Sequence, residues 1–218
     1  MASQKEKLPG KVELVRKSFL LQYLAICAST IQFPERKVEW MGTLRRGSFF
    51  LGNGSGDLFH AGWEGERLVI RLFDHESSRS SPPSAIPPTY AELVKDAKEN
   101  VKGATSEMWQ EGKSFWIGEP YATSEENGLW LLERHFMNPI EAMTGKGENW
   151  RAEYSISEEQ TRAVLLLAAR GGNGTVHVTQ DELDLIGTVG ASLEQFPPTG
   201  VEKSREQFAA AGFIWPPN

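Results

Sequence analysis

The chain has 218 residues, 39% apolar, 24% charged and 10% aromatic, with 23 Lys and Arg against 29 Asp and Glu for a formal net charge of −6. That composition describes a globular protein and excludes disordered, fibrous and collagen-like chains, while the length suits one large domain or two small ones. A single cysteine, Cys27, excludes an internal disulfide or a paired-cysteine zinc site and fits a reducing compartment.

Residues 1–10 are polar and end in Pro9-Gly10, which reads as a frayed lead-in. From Lys11 to about Gln32 the apolar residues Val12, Val15, Phe19, Leu20, Leu24, Ile26, Cys27 and Ile31 recur at three- and four-residue steps. This spacing predicts an amphipathic core helix, ended by Pro34. Arg16-Lys17 ahead of the apolar run imitates a secretory leader, but Glu6 and Glu13 interrupt the positive flank and Gln22 breaks the run. The run is also shorter than the roughly 18–20 residues that span a bilayer. The expectation is a cytoplasmic protein with no membrane segment.

Four short runs rich in aromatic and branched residues follow, at Val38–Leu44, Ser48–Leu51, Asp57–Trp63 and Arg67–Phe73. Glycine-containing turns too short for crossover helices separate them, so the strands are expected to pair as an antiparallel meander. Ser77–Pro88 holds five serines and four prolines and reads as a loop or linker. A polar helix is expected over Tyr90–Lys102, then a strand pair at Lys113–Gly118 and Gly128–Phe136.

The rest reads as mainly helical. Ser157-Glu-Glu-Gln160 and Thr179-Gln-Asp-Glu182 have the spacing of capping boxes. The first opens a helix stopped by Gly171-Gly172. The second opens one expected to reach about Gln195 and to end at Pro197-Pro198. A short strand lies between them at Thr175–Thr179, and Phe213-Ile-Trp215 is apolar enough to dock on the body. The expected fold is α+β, a single domain over 1–218 with an N-terminal helix, a central antiparallel sheet of six or seven strands and a mainly helical C-terminal part. If it divides, residues 77–88 separate 1–76 from 89–218.

Among candidate chemical groups, Asp74-His75-Glu76 stands out because it follows a hydrophobic strand and precedes a Ser/Pro segment. With His60 from a neighbouring strand, it offers two imidazoles and two carboxylates for metal binding or acid/base work. On an extended chain, however, Asp74 and Glu76 share one side and His75 faces away, so a metal site requires the strand to end by residue 74. The bland reading is polar strand-end groups. The glycine run Gly52-Asn-Gly-Ser-Gly56 leads into a strand where a dinucleotide fingerprint needs a helix, and it reads as a hairpin turn. His135, His177 and buried Cys27 have no identifiable catalytic partners. No catalytic residue, metal or cofactor is assigned on the leading reading.

That reading comes from charge and indole rings. Residues 1–90 hold 12 basic and 9 acidic side chains, whereas residues 91–218 hold 11 and 20. Such an acidic half repels phosphate backbones and attracts a basic protein, which argues against nucleic acid as a partner. Of seven tryptophans, Trp63, Trp116 and Trp130 are expected in the core. Trp109 and Trp150 lie among charged residues, as interface anchors do. With Glu125, Glu126, Asp181, Glu182 and Asp184 they form the candidate partner-binding set. The function expected is that of a bacterial immunity, antitoxin or inhibitor protein that occludes a basic toxin, nuclease or effector domain. The alternative is a small hydrolase or metal-dependent enzyme built on Asp74, His75, Glu76 and His60.

Overall fold

The computed structural model describes residues 6–9, 12–35, 37–52, 54–76, 86–111, 114–117, 129–147, 149–187 and 193–217. Its first strand, β1 (Glu6–Pro9), takes the place of the expected lead-in, and helix α1 covers Val12–Thr30. Strands β2 (Lys37–Gly42), β3 (Arg46–Gly52), β4 (Leu58–Glu64) and β5 (Arg67–Phe73) form the expected meander. A 3₁₀ turn at Pro88–Tyr90 leads into α2 (Ala91–Asn100), followed by β6 (Ser106–Glu111) and β7 (Ser114–Ile117).

Among the described residues these strands make one antiparallel sheet in the order β1-β7-β6-β5-β4-β3-β2. The five strands β2–β6 supply the described side chains of both faces, and β1 and β7 extend one edge. The α+β architecture is therefore as expected: an N-terminal helix, an antiparallel sheet and a mainly helical C-terminal part.

One face of the sheet packs on α1. Strand alternation aims Val38, Trp40, Phe49, Leu51, Phe59, Ala61, Trp63, Leu68, Ile70, Leu72 and Met108 at that helix. Phe19 lies 5.7 Å from Phe49 and 5.8 Å from Phe59, ring centre to ring centre. The helix is not amphipathic: 16 of its 19 residues are buried. The reason is a second cover. Beyond α1 lie the C-terminal elements α3 (Pro139–Thr144), α4 (Trp150–Glu153), α5 (Glu158–Arg170), α6 (Gln180–Ile186) and α7 (Pro198–Ala210). A helix sandwiched between two layers is buried all round.

The polar residues of α1 tie those layers together, as buried polar groups must find partners. Gln22 Nε2 donates to the Tyr154 hydroxyl at 2.6 Å, Ser29 Oγ to the Tyr154 carbonyl at 2.7 Å, and the Tyr23 hydroxyl to the Gln207 carbonyl at 2.8 Å. Short parallel strands β8 (Val176–His177) and β9 (Phe213–Ile214) dock the C-terminus, with Phe213 and Trp215 buried.

Helix α2 covers the opposite face and makes a small second core of Val69, Tyr90, Val94 and Trp109. Gly62 permits this close approach, since a Cβ there would stand 2.8 Å from the Leu93 carbonyl oxygen.

Three further expectations are corrected. Where a strand was expected over Gly128–Phe136, the described part, Leu129–Phe136, is a 3₁₀ helix, whose buried residues Leu132 and His135 stand three apart, the 3₁₀ repeat. The helix opened by Thr179 ends at Ile186. Pro197-Pro198 does not terminate it but starts α7, because a proline at the first helical position gives up no hydrogen bond. Strand β6 was not anticipated at all, because its alternation carries charged Glu107 inward. Both capping boxes form as read, with reciprocal bonds between Ser157 and Gln160 and between Thr179 and Glu182. Among the described residues no helix is long and apolar enough to cross a membrane.

Candidate metal centre

The hairpin β4–β5 turns on Gly65-Glu66 and its ladder closes with Leu58 opposite Phe73. The next rung would place Asp57 beside Asp74, and both aspartates are buried there. Strand β5 stops at Phe73, so the condition for gathering Asp74 and His75 on one side is met.

Asp57 Oδ1 accepts the His75 backbone N–H at 3.0 Å and faces His75 Nδ1 at 2.7 Å. Asp74 Oδ1 accepts the Glu76 N–H at 2.9 Å, folding the chain back at the strand end. The Asp74 N–H is anchored in turn on Thr105 Oγ1 at 3.0 Å. The incoming loop also shapes the site: Gly56 has φ +110°, and a Cβ there would meet the His75 Cβ and Cγ at 3.2 Å. The expected hairpin turn therefore seats the imidazole as well.

One ligand atom from each of Asp57, Asp74 and His75 lies within 4.8 Å of the other two. Bonds of about 2.0–2.2 Å to one ion set its ligand atoms roughly 3–4 Å apart, so a small side-chain closure completes the set. The two carboxylates are buried while the His75 side chain is 41% exposed, leaving the centre open on one side. The hydrogen bond to Asp57 raises the His75 pKa above its usual value; burial opposes this, and the charges of Asp57, Glu76 and Asp74 add to it. When protonated, the imidazole sets a positive charge against two buried carboxylates. A divalent cation would do the same and release the proton.

Of the alternative set Asp74, His75, Glu76 and His60, the structure brings Asp74 and His75 together and leaves the other two outside the trio. His60 is not brought to His75. It stands on β4 at the alternate parity to Asp57, on the α2 face, where its Nδ1 meets Asn100 Nδ2 at 3.0 Å. Asp57 was missed, although the two-residue turn fixes the register that puts it opposite Asp74. Glu76 is exposed, with Oε1 3.9 Å from His75 Nε2, outside the trio.

The partner-binding set is largely dispersed. Trp109 is 0% exposed and Trp150 1%, so neither is an interface anchor. Their charged neighbours misled: Trp109 alternates inward to the α2 core, and Trp150 points inward while Arg151 and Glu153 take the exposed side. Glu182 is held by its capping role and by Arg170 Nη2, 2.7 Å from each carboxylate oxygen. Asp181 and Asp184 face solvent. Glu125, Glu126 and the side chains of Trp116 and Trp130 lie outside the described residues.

His135 is buried, its Nδ1 3.1 Å from Ser18 Oγ, with the rings of Phe19, Trp150 and Phe59 centred 4.5, 5.0 and 5.7 Å away. Cys27 is buried too, and burial pushes its thiol pKa well up. Both act as packing residues. The chain matches no protein-family profile, no curated protein and no solved structure.

Proposed function

We propose that this protein binds a divalent transition-metal ion through Asp57, Asp74 and His75 and works as a small metal-dependent hydrolase. The observation that supports this is the gathering of two buried carboxylates and an imidazole at one strand end, within 4.8 Å of one another. One nitrogen and two oxygen donors suit Zn²⁺ or Mn²⁺, and three protein ligands leave a coordination position for water. An ion held there would lower the pKa of that water toward about 7 and supply a nucleophile at neutral pH. Asp57 and Asp74 bring the negative charge, and the Asp57 contact fixes the His75 ring.

The test is isothermal titration of the full chain with Zn²⁺ and with Mn²⁺. One equivalent should bind, and Asp57→Asn or Asp74→Asn should each weaken binding by about 100-fold, at the upper end of what even outer-shell partners contribute. Failure of both ions to bind, or an affinity unchanged from that of the original chain in either variant, overturns the proposal. A chelator-sensitive hydrolytic activity toward ester or phosphoester probes, lost with the same variants, would then separate a catalytic ion from a structural one.

Occlusion of a basic protein is a second reading, favoured by the exposed Asp181 and Asp184 of α6 and the acidic balance of residues 91–218. It requires a purified basic partner whose association weakens with salt and with Asp181→Lys plus Asp184→Lys.

A further inference from the structure

The face of the sheet covered by α2 carries a constellation that the cation centre does not use. Phe50 of β3, His60 of β4, Arg71 of β5 and Glu107 of β6 stand in successive register. Alternation puts all four side chains on one face as near neighbours. One row along the same face, Gly62, Val69 and Trp109 are in register, and Val69 and Trp109 pack with Tyr90 and Val94 of the α2 layer. A polar row is thus set beside an apolar one.

The row is tightly held. Arg71 Nε meets Glu107 Oε1 at 3.0 Å, with the Glu107 side chain 1% exposed and that of Arg71 11%. Asn100, the last residue of α2, donates from Nδ2 to His60 Nδ1, which leaves the ring proton on Nε2. Stability alone does not account for such a row, because a buried ion pair gains little or nothing over apolar residues of the same volume.

Arg71 suggests what the row is for. A guanidinium has five N–H donors in a planar fork, and here Glu107 engages the fork through Nε. Among the described residues, neither Nη nitrogen of Arg71 donates a hydrogen bond. Neither is sealed from solvent. A buried carboxylate that fixes Nε pre-organises the two Nη groups for the paired oxygens of a carboxylate or phosphate, the geometry in which arginine binds most specifically.

We infer that the Nη fork of Arg71, fixed by Glu107 and flanked by His60, binds an oxyanion, the carboxylate or phosphate group of a ligand on the α2 face. The site does not depend on the cation centre, so it is tested on protein stripped of metal ions and dialysed. Inorganic phosphate and acetate are titrated separately into the ¹⁵N-labelled full chain while the Arg71 Nε–H and His60 Nε2–H resonances are followed. Saturable shifts with phosphate, with acetate or with both are expected, and their pattern names the oxyanion. Arg71→Lys keeps the charge and loses the fork, and should weaken binding at least about fivefold. Arg71→Gln with Glu107→Gln leaves a neutral hydrogen-bonded pair and should abolish it. Absence of any saturable shift up to roughly 50 mM, where a millimolar site is filled, overturns the inference. So does unchanged affinity in either folded variant.

Discussion

His135 and His75 occupy opposite physical regimes in one chain. Beneath α1, His135 is enclosed by three aromatic rings, and burial lowers its pKa to about 3, helped by nearby Arg134. At the end of β4 and β5, His75 is half-exposed against Asp57, and its pKa is raised. The first site excludes charge and the second gathers it. Charged groups that keep contact with water can gather at the rim, whereas the interior histidine serves packing and a hydrogen bond to Ser18.

The largest effect expected from this contrast is in the interior. Trp63 is fully buried, its ring 5.2 Å from Trp40 and 6.1 Å from Phe19, and its indole N–H donates to the Thr43 carbonyl at 2.8 Å. Trp63→Ala should cost about 3–5 kcal/mol in urea unfolding, as large-to-small changes in close-packed cores do. A loss below about 1 kcal/mol would mean that the layer under α1 is not packed as described.

Next is the pH dependence that His135 confers. With its folded pKa at about 3 against the ordinary 6.5, the unfolded chain binds more protons between those values. Its contribution to stability is full above pH 6.5 and is lost as pH falls toward 3. Between pH 6.5 and 5, before most carboxylates titrate, the loss should approach about 2 kcal/mol at 1.36 kcal/mol per pH unit. His135→Gln should remove that slope while keeping a partner for Ser18. An unchanged slope in the variant would show that the interior does not hold His135 neutral.

How far each region was legible follows from whether its signals are local. The β4–β5 hairpin and both capping boxes depend on residues within a few positions of one another, and they formed as read. Strand β6 did not read as a strand because the buried Glu107 pairs with Arg71, 36 positions earlier. The charged neighbours of Trp109 and Trp150 looked like a surface for the same reason: sequence proximity to charge says little when alternation or helical rotation sends the indole inward. At the rim, Asp74 and His75 could be picked from their place after a strand. Asp57 needed the register, and His60 fell to the opposite face by parity alone.

The smallest effect tests the rim at its finest detail, the glycine loop. Gly54 and Gly56 both have positive φ, +85° and +110°, so alanine strains either one. Left-handed backbone costs a non-glycine residue about 1–2 kcal/mol, and both variants should lose a similar amount from that source. They differ in what the new methyl meets. At Gly54 nothing lies within 4 Å, whereas at Gly56 the His75 Cβ and Cγ lie at 3.2 Å, tighter than ordinary contact. Gly56→Ala must therefore displace the imidazole and should weaken Zn²⁺ or Mn²⁺ binding severalfold, while Gly54→Ala leaves the affinity unchanged at comparable stability. Equal affinities in the two variants would mean that the loop only closes the hairpin, and that Asp57 alone sets the position of the His75 ring.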